Sequence, residues 1–457
     1  MTLSSRALGV AALLTVGGLT LSACSGGAAG SSDDQGGATT ASAAAAFDPD
    51  RQYEIVFESY NLGNATWEPT ILGLIEEFEE QHPNVDVIPQ ALGADSTAAG
   101  GTAGSVQRQV LAGNPPDVVQ MTFDTLDYAV ENLSAQPLDV LYGRDAVDAH
   151  FEDGIPMHEN VRDFGVLGEH IYGVPYVLST PMFFYNATGL AEAGVAAPDF
   201  STWDSVAEAA RAVTEKTGKP SLSVSCLDPV GEWCLQSMIR SNGGRVLSED
   251  RSTIEFGSDE TVEVISLMQD LYEDGVLENA DFTTQSESFA AGEVLMHVNS
   301  ASMQASFEQG ASAGGWTIEA AGIPAFDGSP VVPTSSGSAL MVFSQDADKQ
   351  AAAFELLKFM TGETAYEAIA PLGYLPLRTG LIEEGNALAE WAAGNRLLAP
   401  NLEQLESIEP WVAYPGESYV QIGSLLMDAV NESVYQGADP QAALTGAASR
   451  AQDLADR

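Results

Sequence analysis

Between residues 53 and 121 short apolar strands alternate with amphipathic helices, and nothing else in the chain restricts its possible folds so tightly. Residues 53–57 alternate apolar and polar side chains, as a half-buried strand does, whereas Ile71, Leu74, Ile75 and Phe78 recur at helical spacing within 70–81. Residues 84–89 repeat the strand pattern and 105–112 the helical one, before Pro115-Pro116-Asp117 leads into the strand Val118-Val119-Gln120-Met121. Such alternation predicts an α/β architecture around a mostly parallel sheet, with loops gathered at the carboxyl edge where open α/β sheets bind ligands. With 457 residues, 45% of them hydrophobic and 18% charged, the chain can bury a large core and has room for two or three domains.

The chain begins differently. Arg6 is the only charge before Asp33, and residues 7–21 form an apolar stretch too short to span a bilayer stably but of the length of a signal-peptide core. It ends in Leu21-Ser22-Ala23-Cys24, which resembles the bacterial lipobox and implies removal of residues 1–23 and attachment of lipid to the Cys24 sulfur. Residues 25–46 are Gly, Ala, Ser and Thr with almost nothing large, so they cannot offset their ordering entropy by burial. Segment 24–50 is therefore expected to be a flexible tether holding the folded body at the outer face of a bacterial cytoplasmic membrane. Cys226 and Cys234, the only other cysteines, can pair in an exported compartment, which would constrain the unfolded chain by about 2–3 kcal/mol. Free or metal-binding thiols are the alternative, with no nearby histidine to support them.

Charge narrows the partners. Asp and Glu number 65 against 17 Lys and Arg, a net charge of −48 that would repel a phosphate backbone, so no nucleic-acid partner is expected. Only four of the cations are lysines, and no basic run could hold an anionic membrane electrostatically. The five histidines are scattered, with no metal-ligand spacing, and no nucleophile elbow, Ser-x-x-Lys or phosphate loop occurs; no metal or cofactor is expected. A glycoside hydrolase is harder to exclude, because it needs only two suitably spaced carboxylates.

Later segments carry a resemblance. Ile171-Tyr172-Gly173-Val174-Pro175-Tyr176, Ser179-Thr180-Pro181-Met182-Phe183-Phe184-Tyr185-Asn186, Phe200-Ser201-Thr202-Trp203-Asp204, Phe289-Ala290-Ala291-Gly292-Glu293 and Gly373-Tyr374-Leu375-Pro376-Leu377-Arg378 occur in that order. Together they resemble the extracellular solute-binding proteins of carbohydrate ABC importers, of the maltose and glycerol-3-phosphate type. The resemblance implies a two-lobed periplasmic-binding-protein-like fold (type II) with the ligand cleft between lobes joined by a hinge. It places residues 51–178 and 339–375 in the first lobe and 179–338 and 376–457 in the second. Thr180 then lies in the crossing segment and Arg378 is a structural basic residue, while the stripe of Trp203, Val206, Ala207, Ala210 and Val213 at three-and-four spacing makes Trp203 structural.

Sugar recognition needs aromatic faces for the ring and fixed polar groups for its hydroxyls. The loop after the first strand offers Tyr60, Asn64 and Trp67, Trp67 being either a contact or a staple on its own helix. Phe123 and Asp124 follow the strand ending at Met121, where Asp124 either accepts hydroxyls or caps a helix. Glu232 and Trp233 lie inside the Cys226 to Cys234 loop, with core burial the rival for Trp233. Ser300 and Ser302 stand where relatives carry a Gly-Ser-Trp-like loop, so stacking is lost there and hydrogen bonding remains. Ser336 and Gly337 mark the return crossing, where Gly337 either admits a ligand to the backbone or is a plain hinge. Tyr374, Tyr414, Glu417 and Tyr419 resemble late-chain contacts of the family.

These loops lack the Arg fork that a phosphomonoester wants, so the expected ligand is a neutral sugar, oligosaccharide or polyol. A zwitterionic glycerophosphodiester or another non-sugar solute comes next, and a surface glycoside hydrolase or a sensory or adhesive protein are the rival classes. Capture without catalysis, hinge closure on the ligand, delivery to ABC permease subunits and a monomeric state are the corresponding expectations.

Overall fold

The computed structural model of the chain describes residues 42–92, 101–195, 200–326 and 328–457; the expected signal peptide and Cys24 lie outside them. Three strands open the first sheet. β1 (Tyr53–Ser59) is flanked in parallel by β2 (Val85–Ala91) and β3 (Val118–Thr122). Helices Glu68–Gln81 and Gly101–Leu111 connect them, the first burying the expected Ile71, Leu74, Ile75 and Phe78. A hairpin of β4 (Val166–Leu167) and β5 (His170–Ile171) precedes β6 (Gly173–Ser179). After Thr180 the chain enters a second sheet as β7 (Pro181–Asn186), with β8 (Leu222–Val224), β9 (Met296–Ser300) and β10 (Ile318–Gly322) in the order β10-β7-β9-β8. It returns as β11 (Thr334–Val342), which runs through the first sheet between β3 and β6, and β12 (Glu409–Pro410) pairs with its first two residues.

The α/β expectation holds, but the sheets are mixed rather than mostly parallel. β11 is antiparallel to both β3 and β6, and β7 is antiparallel to β9 and β10. The cause is the crossing: β1 to β3 run toward the gap between the two bodies, whereas β11 starts at that gap and runs away from it. No helical crossover of the kind parallel neighbours need separates β6 from β7.

Two crossings differ in place from the expectation. β11 is continuous from Thr334, so the switch of sheets falls before it rather than at 338/339. Arg378, 1% exposed, donates from Nε to the Thr361 carbonyl, from Nη1 to those of Asp153 and Ile155, and from Nη2 to that of His150. It has the structural place expected of it, but it fastens the chain to the first body beyond residue 375. The end of the expected tether is also fixed. The Ala44 and Ala45 amides donate to the carbonyls of Leu141 and Ala347, and the Phe47 ring stacks 5.2 Å from Tyr53, because Phe47 supplies the apolar ring that residues 25–46 lack.

In the second body helix Trp203–Thr217 buries Trp203, Val206, Ala207, Ala210 and Val213, and the Thr202 hydroxyl caps it by accepting from the Ser205 amide. Helices Tyr419–Gln436 and Pro440–Ala455 close the chain, with Gly437 in the left-handed region at φ 74° and the Asp439 carboxylate accepting from the Ala442 amide. Among the described residues no helix is long and apolar enough to cross a membrane, and no group of His, Cys, Asp and Glu is arranged to hold a metal ion.

Candidate ligand-binding cleft

The carboxyl ends of β1 and β3 and the start of β11 meet at the gap, and their polar side chains form a chain of hydrogen bonds. Ser59 Oγ donates to Gln120 Oε1 at 2.5 Å, Gln120 Nε2 donates to Ser338 Oγ at 3.0 Å, and the Tyr60 hydroxyl donates to Ser338 Oγ at 3.2 Å. Three strands thereby hold Tyr60 in one position. Burial raises its pKa against the hydrogen bonds that would lower it, and the nearby Asp124 charge raises it further. Trp67, at the start of helix Glu68–Gln81, packs its ring 4.4 Å from that of Tyr374, which lies close to Tyr60.

Asp124 follows β3 directly. Its Oδ1 is buried with no hydrogen-bond partner in the protein, and burial pushes its pKa up to about 6 against a hydrogen bond with Thr122. Of the eight such unpartnered buried atoms among the described residues, four others, Glu58 Oε1, Asn61 Nδ2, Tyr176 OH and Ser335 Oγ, belong to β1, β6, β11 or the turn after β1. Desolvated polar atoms without partners cost free energy, and at Asp124 Oδ1 a solute hydroxyl would repay it.

The second body contributes Glu232 at the start of helix Glu232–Ser241. Its Oε1 accepts from Gln236 Nε2 and from the Tyr414 hydroxyl, both at 3.0 Å, and its Oε2 accepts from Trp411 Nε1 at 2.5 Å. Burial pushes this carboxyl up to about 7; the three hydrogen bonds oppose the shift and the Asp124 charge adds to it. Both oxygens are therefore engaged in aiming Trp411 and Tyr414. Tyr419 feels Asp124 as well, and its ring lies 5.0 Å from Tyr128 of the first body. Cys226 and Cys234 are joined as a disulfide around the loop carrying Glu232.

The structure thus brings together Tyr60, Asp124 and Tyr374 on one side and Glu232, Tyr414 and Tyr419 on the other, while Trp67, 8% exposed within the core, packs against Tyr374. The remaining candidates sit elsewhere. Asn64 is exposed, its Oδ1 accepting from the Thr66 amide and its carbonyl from those of Trp67 and Glu68, so it shapes the helix entry. Phe123 is 3% exposed and packs edge-on against Phe164 at 5.5 Å. Trp233 is 7% exposed within the core, its carbonyl accepting from the Thr334 hydroxyl. Glu417 is exposed.

Thr180, Ser300, Ser302, Ser336 and Gly337 belong to the crossings. The Thr180 hydroxyl donates to Asn401 Oδ1 at 2.5 Å and accepts from Gln404 Nε2 at 2.7 Å. Ser300 Oγ donates to Ser179 Oγ at 2.9 Å and shares a 2.7 Å bond with Ser302 Oγ. Ser336 pairs with Ser179 across β11 and β6. Gly337 has φ +142°, and a Cβ there would lie 2.1 Å from the Val177 carbonyl oxygen, so its missing side chain makes room for β6 rather than for a ligand.

Trp411, Gln120, Ser338 and Tyr176 were not among the sequence candidates. Gln120 had a signal, a polar residue within an otherwise apolar strand, and Trp411 lies three residues before Tyr414 in the same loop.

A curated relative, the arabinooligosaccharide-binding protein of Halalkalibacterium halodurans, is 29% identical over 104 residues, 23% of this chain and 22% of the relative, so the alignment spans only about a fifth of it. The crystal structure of the GacH receptor of Streptomyces glaucescens, determined unliganded and with acarbose, matches with TM-score 0.72 at 19% identity, covering 89% of this chain and 99% of that one. The cyclic alpha-maltosyl-1,6-maltose binding protein of Arthrobacter globiformis matches with TM-score 0.73 at 19% identity, covering 88% and 99%. UgpB of Mycobacterium tuberculosis, in complex with glycerophosphocholine, matches with TM-score 0.73 at 19% identity, covering 88% and 98%. These likenesses bear out the two-lobed fold, and the model of the bacterial extracellular solute-binding protein family matches residues 73–395, most of the chain, so the protein belongs to that family.

Proposed function

We propose that this chain captures an uncharged carbohydrate or polyol between its two bodies and delivers it unaltered to the permease subunits of an ABC importer. In this reading it works as a monomer, held through a lipid on Cys24 at the outer face of the cytoplasmic membrane. What supports the proposal is that Asp124, with its unpartnered Oδ1, lies near Tyr60 of its own body and near Tyr419 and Glu232 of the other, Glu232 in turn holding Trp411 and Tyr414. Rings for sugar faces and acceptors for hydroxyls are what a neutral saccharide requires. The likeness to binders of acarbose, a cyclic maltosaccharide and arabinooligosaccharides supports the same class. The engagement of both Glu232 oxygens weighs against a glycosidase, whose acid must be free to protonate the leaving oxygen.

A thermal-shift panel of malto- and arabino-oligosaccharides, polyols and glycerophosphocholine tests this. A neutral sugar should raise the unfolding midpoint in proportion to the logarithm of its concentration and be recovered intact. A second reading is favoured by Asp124, a buried carboxyl with an unpartnered oxygen facing aromatic rings, and by the likeness to the glycerophosphocholine complex: a choline-bearing glycerophosphodiester as solute. A shift with glycerophosphocholine and none with sugars would select it.

A further inference from the structure

Beside the aromatic gap a cavity of about 390 Å³ opens between the two bodies, a size within the range of small-molecule sites. Pro371, Gly373 and Tyr374 of the first body and Gln304 of the second line it, together with Trp391 and Asn395. Tyr374 belongs to both spaces, since its ring lies 4.4 Å from that of Trp67 while it also lines the cavity. Gly373 makes the junction possible: it has φ +113°, and a Cβ there would sit 2.9 Å from the Ser302 carbonyl oxygen, so the first-body turn rests directly on the loop after β9.

The lining has the chemistry of a sugar site. No Lys, Arg or His is part of it, and the nearby Arg396 is turned to Glu319 and the Ile318 carbonyl instead. Trp391 is half-buried, packed on the core along part of its ring. Gln304 Nε2 donates to Asn395 Oδ1 at 2.7 Å and to Glu308 Oε1 at 3.2 Å, which fixes a polar edge within the same lining.

We propose that this cavity is a second compartment of the cleft, entered past Tyr374, in which Trp391 carries a further sugar unit, so that the solute is an oligosaccharide longer than a disaccharide. The inference rests on the carbohydrate reading above. It is tested by calorimetric titration of the full chain with maltose, maltotetraose and the corresponding arabinose dimer and tetramer. In one series the wild type should bind the tetramer about tenfold more tightly than the dimer, roughly the worth of one stacked ring. Trp391→Ala should abolish that gain while leaving the dimer's affinity within about twofold, and Trp391→Phe should keep most of it, which separates a lost platform from a damaged fold. Equal affinity for dimer and tetramer, a gain that survives Trp391→Ala, or an equal loss for both lengths would overturn the second compartment alone. Failure of all four sugars to bind the wild type would overturn the carbohydrate reading and this inference with it.

Discussion

Glu232 shows how a single residue organises the second wall of the cleft. A carboxyl removed from water would be costly, yet three donors converge on it, and those donors belong to the side chains that line the gap. Trp411→Phe keeps the ring and removes one donor, so it should destabilise the protein by about 1–3 kcal/mol in denaturant unfolding. Arg378 is the corresponding group in the first body. Arg378→Met would strip two buried and two part-buried carbonyls of their donor, and a loss of about 3 kcal/mol in the same measurement is expected. Tyr60 and Asp124 could be picked out from the sequence because strand ends and the loops after them face the carboxyl edge, and Tyr414 through its resemblance to a late-chain contact of the family. The Glu232 to Trp411 bond could not, because 179 residues separate its partners and no local pattern links them.

The elements divide in the same way. Helix Pro440–Ala455 is announced by Asp439 and its predecessor is closed by Gly437, both local signals, and both function as read. The direction of β11 was illegible because its neighbours β3 and β6 are set by where the chain crosses back, not by its own residues. Two glycines with positive φ separate conformation from space. At Gly437, with nothing within 4 Å of an added Cβ, alanine should cost only about 1 kcal/mol of left-handed strain. At Gly337 the same change drives a methyl group into the Val177 carbonyl, and thermal unfolding should reveal a loss of at least about 2 kcal/mol. Similar effects at the two sites would mean that β6 does not press on Gly337.

For the whole molecule, what matters is how the two bodies are held together. Arg251, a non-glycine residue at φ 61°, donates from Nη2 to Asp127 Oδ1 of the first body at 2.8 Å and to the Ala413 carbonyl at 2.7 Å. This contact ties the second body to the first, and Arg251→Met should weaken the affinity for a solute held between them about three- to tenfold. The acids in the gap add a pH dependence. Asp124 and Glu232 titrate near 6 and 7 when buried, above their ordinary values of 3.8 and 4.5. The folded chain therefore holds protons on these two groups that the unfolded chain releases. Their contribution to stability is complete at low pH and falls as the pH rises from about 4 through 7. The unfolding midpoint of the unliganded protein should fall over that interval, and Asp124→Asn with Glu232→Gln should flatten the decline relative to the wild type.

All of this depends on two bodies that close on a solute between them. Small-angle scattering of the full chain, with and without the sugar that raises its unfolding midpoint most, tests that directly. The radius of gyration should contract when the sugar is added and recover when it is dialysed away, whereas superimposable curves at saturating sugar would contradict closure.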